Sequence, residues 1–179
     1  MHHLTLNEIH AKAKQIKLLL LDVDGVLTDG KLYFSSEGYE MKAFHTLDGQ
    51  GLKQLMRSGV NVGIITGRKS ELVAKRAQDL GITRVIQGRE DKFIAMQELL
   101  ANHPCELSEI AFMGDDYPDL TVMTRVGLAL TVQNAHPAVI ELSHWQSSRM
   151  GGEGAVREAC DLIMTAQGSY QQALEKYTR

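Results

Sequence analysis

The sequence has few of the features that mark disulfide-stabilised or zinc-stabilised domains. Only two cysteines occur among its 179 residues, Cys105 and Cys160, and no CxxC pair is present. Small secreted domains depend on several disulfides, and zinc ribbons depend on paired CxxC ligands, so the sequence fits neither class. The simpler interpretation is two free thiols in a reducing compartment.

Long hydrophobic runs and an excess of positive charge are also missing. The most apolar run, residues 18–21, is far shorter than the roughly 18 residues that a membrane span needs. The first residues lack the charged-then-apolar layout of a secretory signal. The formal net charge is -3, so we expect no broad basic face for a nucleic-acid backbone. These absences predict a cytoplasmic protein that has neither nucleic acid nor a membrane as partner.

Strand-like apolar runs alternate with stretches of helical periodicity along most of the chain. The predicted strands are residues 16–23, 60–66, 84–88, 110–114 and 128–132. The predicted helices are residues 48–58, 70–81, 90–103, 118–125 and 137–143, and the C-terminal tail, about 149–179, is predicted to be mostly helical over residues 154–177. This alternation predicts an α/β fold, a Rossmann-like doubly wound parallel sheet. No linker or repeat interrupts it, so we expect one domain over residues 1–179.

One segment, residues 31–45, breaks the alternation. Two strand-like runs there flank the turn-forming sequence Ser35-Ser36-Glu37-Gly38. This pattern predicts a β-hairpin that projects from the sheet as a flap.

Polar residues follow the ends of the predicted strands. They are Asp22, Asp24, Thr66, Lys92, Asp115, Asp116 and Asp119. Ligands of open α/β sheets bind beyond the carboxyl ends of the strands, so these side chains are expected at one rim. Carboxylates packed that closely repel one another unless a cation binds them. Oxygen ligands without histidine or cysteine favour Mg²⁺ over zinc.

Such a cluster has the groups that phosphoryl transfer needs. A carboxylate can accept a phosphoryl group, while a second carboxyl moves the proton of the leaving group. A lysine and a metal would neutralise the phosphoryl oxygens, and a hydroxyl would donate to one of them. Taken singly, Asp22 and Asp24 could be turn or cap residues, Thr66 a strand-end residue and Lys92 a solvated lysine. Their convergence favours the catalytic interpretation.

The set resembles the motifs of the haloacid-dehalogenase superfamily of phosphohydrolases. The matching stretches are DVDGVLT from Asp22, Thr66, Lys92 and GDD at residues 114–116 with Asp119. The resemblance implies that Asp22 is the nucleophile and Asp24 the general acid and base. It also implies that Asp115 binds Mg²⁺ together with Asp22 and the backbone carbonyl of Asp24. Asp116 and Asp119 would have supporting roles.

Residues 15–170 resemble one branch of that superfamily, the 3-deoxy-D-manno-octulosonate 8-phosphate phosphatases. Shared stretches include DVDGVLTDGKLYF, AFHTLDGQGLK, QGREDK and GGEGAVREACDLIMTAQG. The resemblance implies hydrolysis of that sugar phosphate through an aspartyl-phosphate, in lipopolysaccharide precursor synthesis. It also implies a fold without a cap domain and a homotetramer whose active sites lie at subunit interfaces. Exposed Leu32, Tyr33 and Phe34 on the hairpin would then contact a neighbouring subunit or fold back on their own domain.

An acidic sugar phosphate needs cationic partners besides Lys92. The candidates are Arg68, Arg76 and Arg157, with Gly67 and Asp116 beside them. Arg68 favours the eight-carbon substrate, because the related nine-carbon sugar-acid phosphatases tend to carry glutamate there. Leu47 departs from the family, in which arginine is frequent at this position, so that substrate contact is in doubt.

Two further alternatives stay open on the sequence alone. A phospho-receiver signalling domain also combines acidic residues, a hydroxyl and a lysine on a parallel sheet, although its acidic pair comes first and it has no hairpin. The glycines of MGGEGA, residues 150–155, fit either a flexible segment that closes over a site or a solvated loop.

Overall fold

The computed structural model describes residues 4–178. The helices are α1 (Leu6–Lys14), α2 (Thr46–Arg57), α3 (Glu71–Leu80), α4 (Lys92–Asn102), α5 (Tyr117–Met123), α6 (Pro137–Leu142), α7 (Ala155–Ala166) and α8 (Tyr170–Glu175). The strands are β1 (Leu18–Leu21), β2 (Tyr33–Phe34), β3 (Glu40–Met41), β4 (Asn61–Thr66), β5 (Arg84–Gln87), β6 (Ile110–Gly114), β7 (Leu128–Thr131) and β8 (Trp145–Gln146).

Six of these strands form a parallel sheet in the order β5-β4-β1-β6-β7-β8. Strand β1 is central, and the chain builds the sheet outward from it in both directions. All four leucines of β1 are buried, which is typical of a parallel strand with helices on both faces. The predicted doubly wound α/β fold is confirmed. The strand order therefore reverses direction at β1, and ligands of such sheets bind beside this switch point, at the carboxyl ends of the strands.

The helices pack in two groups. Helices α1 and α2 both contact α7, while α5 contacts α4 and α6. The N-cap residue of helix α7 is Gly154, which has no side chain to cap the helix. The buried carboxylate of Asp48, in the first turn of α2, instead accepts the Arg157 backbone N–H at 2.8 Å. This contact fixes α7 against the helix that follows the hairpin. No helix within residues 4–178 is long and apolar enough to cross a membrane.

Two elements were not predicted from the sequence. Helix α1 carries only two buried residues, Ile9 and Ala13, so its apolar periodicity is weak, although a Thr5–Glu8 capping box marks its start. Strand β8 has two residues and pairs Trp145 with Leu130 at the sheet edge. It is too short for an alternating pattern to reveal it.

The predicted hairpin is present as β2 and β3. Tyr33 pairs with Met41 and Phe34 with Glu40 in antiparallel register. Its apolar side chains face solvent in the single chain, with Phe34 63% exposed and Met41 62% exposed. The hairpin follows the loop after β1, so it stands beside the carboxyl edge of the sheet. No cap domain is present within the described part of the chain, in agreement with the sequence.

Candidate active site

A cavity of about 390 Å³ opens at the carboxyl edge of the sheet. Its lining consists of Asp22, Asp24, Gly30, Thr66, Gly67, Arg68, Glu90, Lys92, Asp115, Asp116, Pro118 and Asp119. Strands β1, β4 and β6 and the first turn of α4 each contribute residues. The structure thus brings together the predicted residues of all four strand ends. Glu90, Gly30 and Pro118 were not predicted as lining residues; Gly30 and Glu90 lie in the shared stretches DVDGVLTDGKLYF and QGREDK, but nothing in the sequence assigned them a chemical role.

Lys92 joins two carboxylates on the floor of this cavity. Its Nζ lies 2.9 Å from Asp22 Oδ1 and 2.6 Å from Asp119 Oδ1, and all three residues are buried. Burial by itself lowers the pKa of Lys92, but the two carboxylates outweigh it and raise the pKa overall. The raised pKa favours the charged form of Lys92, which lies beside the carboxylate of Asp22.

The carboxylates here exceed the positive charge. Oxygen atoms of Asp22, Asp115 and Asp119 lie within 4.8 Å of one another, and Lys92 is the ammonium that contacts this cluster. Burial, and after it the charge of Asp119, raises the pKa of Asp22 to about 6 although Lys92 opposes the increase. Burial, together with the charges of Asp22 and Asp119, raises the pKa of Asp115 to about 8. When all three carboxyls are ionised, the single ammonium leaves two negative charges, so a divalent cation would neutralise the cluster and favour the ionised form of Asp115.

Glycine at position 25 allows Asp115 to approach the loop after β1. A Cβ atom at Gly25 would lie 2.1 Å from Asp115 Oδ2, and its φ of 92° is one that other residues rarely adopt. Thr28 closes the same loop, because its Oγ1 accepts from the N–H groups of Gly25 and Gly30 at 3.4 and 3.3 Å. The motif DVDGVLT thus places the two acidic strand ends against each other.

The second oxygen of Asp119 has a structural role. It accepts the backbone N–H groups of Asp115 and Asp116 at 2.9 and 3.2 Å. Asp116 is the N-cap of α5 and accepts the Tyr117 N–H at 2.8 Å. Both oxygens of Asp119 are therefore engaged, which favours its predicted supporting role over direct metal binding. Asp116 lines the cavity and caps the helix as well.

Asp24 lies in a separate, charge-balanced cluster that the sequence did not reveal. Its Oδ1 contacts the Nζ of Lys42, and its Oδ2 lies 3.7 Å from Arg68 Nε. Glu40 Oε1 accepts from Arg68 Nη2 at 3.1 Å, and Ser70 Oγ donates to Glu40 Oε2 at 3.0 Å. Lys42 and Glu40 come from the hairpin. The sequence could not have shown that Lys42 and Glu40 lie near Asp24, because this contact depends on how the hairpin folds toward the edge of the sheet.

Comparisons with known proteins agree with this geometry. The family model described as haloacid dehalogenase-like hydrolase matches residues 81–156. The curated 3-deoxy-D-manno-octulosonate 8-phosphate phosphatase KdsC of Yersinia pestis is 44% identical over 167 residues, which cover 93% of this chain and 89% of the relative. The chain belongs to the 3-deoxy-D-manno-octulosonate 8-phosphate phosphatase family. Membership in this family excludes the phospho-receiver alternative.

Solved structures of the family have the same fold. A probable YrbI family phosphatase from Pseudomonas syringae has a TM-score of 0.95 and 48% identity, covering 97% of this chain and 98% of that chain. The phosphatase of Moraxella catarrhalis has a TM-score of 0.95 and 43% identity, covering 97% of this chain and 99% of that chain. That crystal structure contains a magnesium ion, a phosphate ion and a KDO molecule.

Two of the predicted substrate-binding arginines lie outside the cavity of their own chain. Arg76 donates to the His45 backbone carbonyl at 3.2 Å and stacks over Phe44. Arg157 Nε donates to the carboxylate of Asp161 at 2.9 Å. Of the three arginines that were predicted to bind substrate, only Arg68 lines the cavity. Contacts of the other two with substrate stay a prediction.

The glycine-rich segment packs against the loop that follows β1. Gly151 is buried, and a Cβ atom there would lie 1.7 Å from the carbonyl oxygen of Gly25. The Gly152 N–H donates to the Val26 carbonyl at 3.0 Å. The structure thus differs from both alternatives, since the segment neither closes over the cavity nor lies in solvent. Small residues are needed here because the two backbones touch.

Proposed function

We propose that this protein is a Mg²⁺-dependent phosphatase that hydrolyses 3-deoxy-D-manno-octulosonate 8-phosphate to the free sugar acid and phosphate. The observation that carries the proposal is the cluster of buried Asp22 and Lys92 with half-buried Asp115, in which carboxyl groups outnumber the ammonium. The identity with curated phosphatases of that name over nearly the whole chain supports the substrate. The reaction would serve lipopolysaccharide precursor synthesis, and the two free thiols of Cys105 and Cys160 are consistent with the cytoplasm.

The donors around Asp22 fit a hard divalent cation. We propose that Asp22, Asp115 and the backbone carbonyl of Asp24 hold Mg²⁺, since both oxygens of Asp119 already accept hydrogen bonds. The chemistry that Mg²⁺ supplies when bound is neutralisation of charge on the phosphoryl oxygens and on the carboxylates. The absence of histidine and cysteine from the cavity lining favours magnesium over zinc.

In the first half of the reaction, an oxygen of Asp22 attacks phosphorus in line with the sugar oxygen. The new bond joins Asp22 to phosphorus, while the bond from phosphorus to the sugar oxygen breaks and Asp24 protonates that oxygen. Lys92 and the hydroxyl of Thr66 donate to phosphoryl oxygens as charge develops there. In the second half, Asp24 removes a proton from water, the water oxygen attacks phosphorus, and the aspartyl-phosphate bond breaks.

The sugar acid itself needs a cation at the mouth of the cavity. Arg68 is the candidate, because it lines the cavity beside Gly67 and its side chain is 44% exposed. Its guanidinium can donate two parallel hydrogen bonds to a carboxylate. Asp116 would accept from sugar hydroxyls at the opposite wall. An arginine at position 68 also favours the eight-carbon acid over the nine-carbon one.

We also propose that residues 1–179 form one phosphatase domain that assembles into a homotetramer. One hydrophobic core runs from Ala13 in α1 to Met164 in α7, which supports a single domain. The hairpin exposes Leu32, Phe34, Tyr39 and Met41, an apolar surface that favours contact with a neighbouring subunit. Arg76 and Arg157, which lie outside their own cavity, would then reach the site of a neighbour.

A phosphate-release assay across sugar phosphates, with and without Mg²⁺, tests this function. The eight-carbon ester should be hydrolysed much faster than the nine-carbon ester and simple sugar phosphates, and only when Mg²⁺ is present. The Asp22→Asn variant should lose turnover while its circular dichroism spectrum stays unchanged. Equal rates on many simple phosphates would overturn the substrate, and near-normal rates for Asp22→Asn would overturn the mechanism.

A further inference from the structure

Lys42 is a buried lysine whose ammonium group contacts the carboxylate of Asp24. The residue directly follows β3, and its side chain is only 1% exposed. Lysine is rarely buried so completely unless its charge is paired. The partner here is Asp24 Oδ1, and Glu40 Oε1 lies 3.6 Å away on the other side. The hairpin therefore contributes a fixed cation to the active site of its own chain.

The surroundings of Lys42 hold Asp24 from two directions. Lys42 contacts one carboxylate oxygen of Asp24, and Arg68 Nε lies 3.7 Å from the other. Glu40 connects the two cations, since it accepts from Arg68 Nη2 at 3.1 Å and is itself held by the Ser70 hydroxyl at 3.0 Å. Two carboxylates and two cations balance in charge, so this cluster is stable without a further ion.

The two buried lysines of the site have separate partners. Lys92 contacts Asp22 and Asp119, whereas Lys42 contacts Asp24 and Glu40. Lys92 thus contacts Asp22, which forms the bond to phosphorus in the proposed reaction. Lys42 contacts Asp24, which transfers the protons in that reaction. Neither lysine can replace the other without a rearrangement of the hairpin.

We propose that Lys42 is a positioning residue that holds Asp24 within reach of the sugar oxygen and of the attacking water. The inference rests on the proposed phosphatase function and deepens it. A catalytic acid or base must lie at hydrogen-bond distance from the proton that it transfers, and its rotamer must be held by neighbouring groups. The Asp24 side chain extends from a loop after β1, where only Lys42 and Arg68 restrain its carboxylate within the described residues.

The contribution of Asp24 to the first step depends on the leaving group of the phosphate ester. An alkoxide such as the sugar oxygen must gain the Asp24 proton as its bond to phosphorus breaks. A p-nitrophenolate leaves without a proton, so the same bond breaks with little help from Asp24. The value of kcat/KM covers the steps up to formation of the aspartyl-phosphate and excludes its hydrolysis. Displacement of Asp24 should therefore lower kcat/KM for the sugar ester far more than for the nitrophenyl ester.

The test compares Lys42→Met, Lys42→Arg and the control Lys31→Met. Lys31 lies on the same hairpin, but its side chain is 73% exposed and its Nζ is 3.7 Å from Asp29. The kcat/KM values are measured with 3-deoxy-D-manno-octulosonate 8-phosphate and with p-nitrophenyl phosphate. Thermal unfolding and molecular mass in solution are measured for each variant.

We expect Lys42→Met to lower kcat/KM for the sugar ester by about tenfold or more, and for the nitrophenyl ester by less than about threefold. Lys42→Arg should recover part of the loss, and Lys31→Met should resemble the wild type. Equal losses on both esters, or no loss at all, would overturn the proposal. So would a loss in Lys42→Met that only follows a lower Tm or mass and that Lys42→Arg does not recover.

Failure of the proposed function would be recognised separately. If the wild-type protein hydrolyses other alkyl phosphates but not the octulosonate ester, the substrate assignment is wrong. The comparison of the best alkyl ester with the nitrophenyl ester then decides on Lys42 in the same way.

Discussion

The carboxylate of Asp119 lies 2.6 Å from Nζ of Lys92, and both side chains are buried. Through its other oxygen, Asp119 accepts the Asp115 backbone N–H at 2.9 Å. One side chain thus connects the lysine that contacts Asp22, the proposed nucleophile, to the loop that carries a proposed metal ligand. Asp119 thereby holds both Lys92 and the loop that carries Asp115 in place.

Replacement of Asp119 should therefore impair catalysis more than stability. Asp119→Asn keeps the shape but removes the charge that holds Lys92, and we expect kcat to fall about tenfold or more. Steady-state phosphate release checks this. Asp79→Asn, on the exposed end of α3 with Asp79 Oδ1 3.4 Å from Lys75 Nζ, is the matched control and should be near wild type. A wild-type kcat for Asp119→Asn would contradict the proposed connection.

Gly25 should not tolerate alanine. The added Cβ atom would overlap Asp115 Oδ2 at 2.1 Å, so either the loop or the carboxylate must move. We expect Gly25→Ala to lose most of its activity and its binding of Mg²⁺, measured by isothermal titration calorimetry. Gly38→Ala separates this clash from backbone strain, because Gly38 has a φ of 84° with nothing within 4 Å of its Cβ position. Retained Mg²⁺ binding in Gly25→Ala would show that the contact is dispensable.

Magnesium should stabilise the folded protein. Mg²⁺ would offset the repulsion among Asp22, Asp115 and Asp119, so the Tm in millimolar Mg²⁺ should exceed the Tm in EDTA. The measurement is made above about pH 8, where Asp115 is ionised even without metal, so that Asp115→Asn removes one of the repelling charges. Its Tm in EDTA should therefore equal or exceed that of the wild type, and Mg²⁺ should no longer raise it. Differential scanning calorimetry measures both, and a lower Tm for Asp115→Asn in EDTA would contradict the proposed repulsion.

Asp48 should matter for stability and little for chemistry. It supplies the cap that Gly154 cannot give to α7, so Asp48→Ala should lower the free energy of unfolding by about 1–2 kcal/mol. Urea denaturation measures this change. Asp79→Ala on α3 is the matched control, since Asp79 is exposed and pairs only with Lys75 among the contacts described, whereas half-buried Asp161 contacts Arg157 of α7 itself. An equal effect of the two substitutions would contradict the capping role.

The hairpin surface should determine the oligomeric state. A charge at Phe34, which is exposed in the single chain, would be buried in the proposed tetramer, so Phe34→Asp should yield smaller species. Analytical ultracentrifugation checks this. Ile94→Asp introduces the same charge at an exposed apolar site on α4 and should leave the mass unchanged. A monomeric wild-type protein, or a tetrameric Phe34→Asp variant, would contradict the proposed interface.

Much of the fold could be predicted from the sequence. The leucines of β1 and the apolar runs of β4 and β6 have the length and continuity of buried parallel strands, and α3 lies within the predicted range 70–81, with Gly81 as its C-cap. Short or weakly periodic elements could not be found in the same way. Strand β8 has two residues, and α1 buries only two. Hydrophobic periodicity needs several turns or alternations before it becomes distinct from chance.

The sequence by itself determined which residues form the polar rim, because Asp22 and Asp115 directly follow strands, Thr66 ends a strand and Lys92 begins a helix. Only the tertiary structure decided how the charges divide. Lys92 is shared by Asp22 and Asp119, while Lys42, eighteen residues after Asp24, pairs with Asp24 across the base of the hairpin. Strand ends are local features of the chain. The partner of a buried charge depends on how distant segments pack, and spacing along the sequence does not encode that.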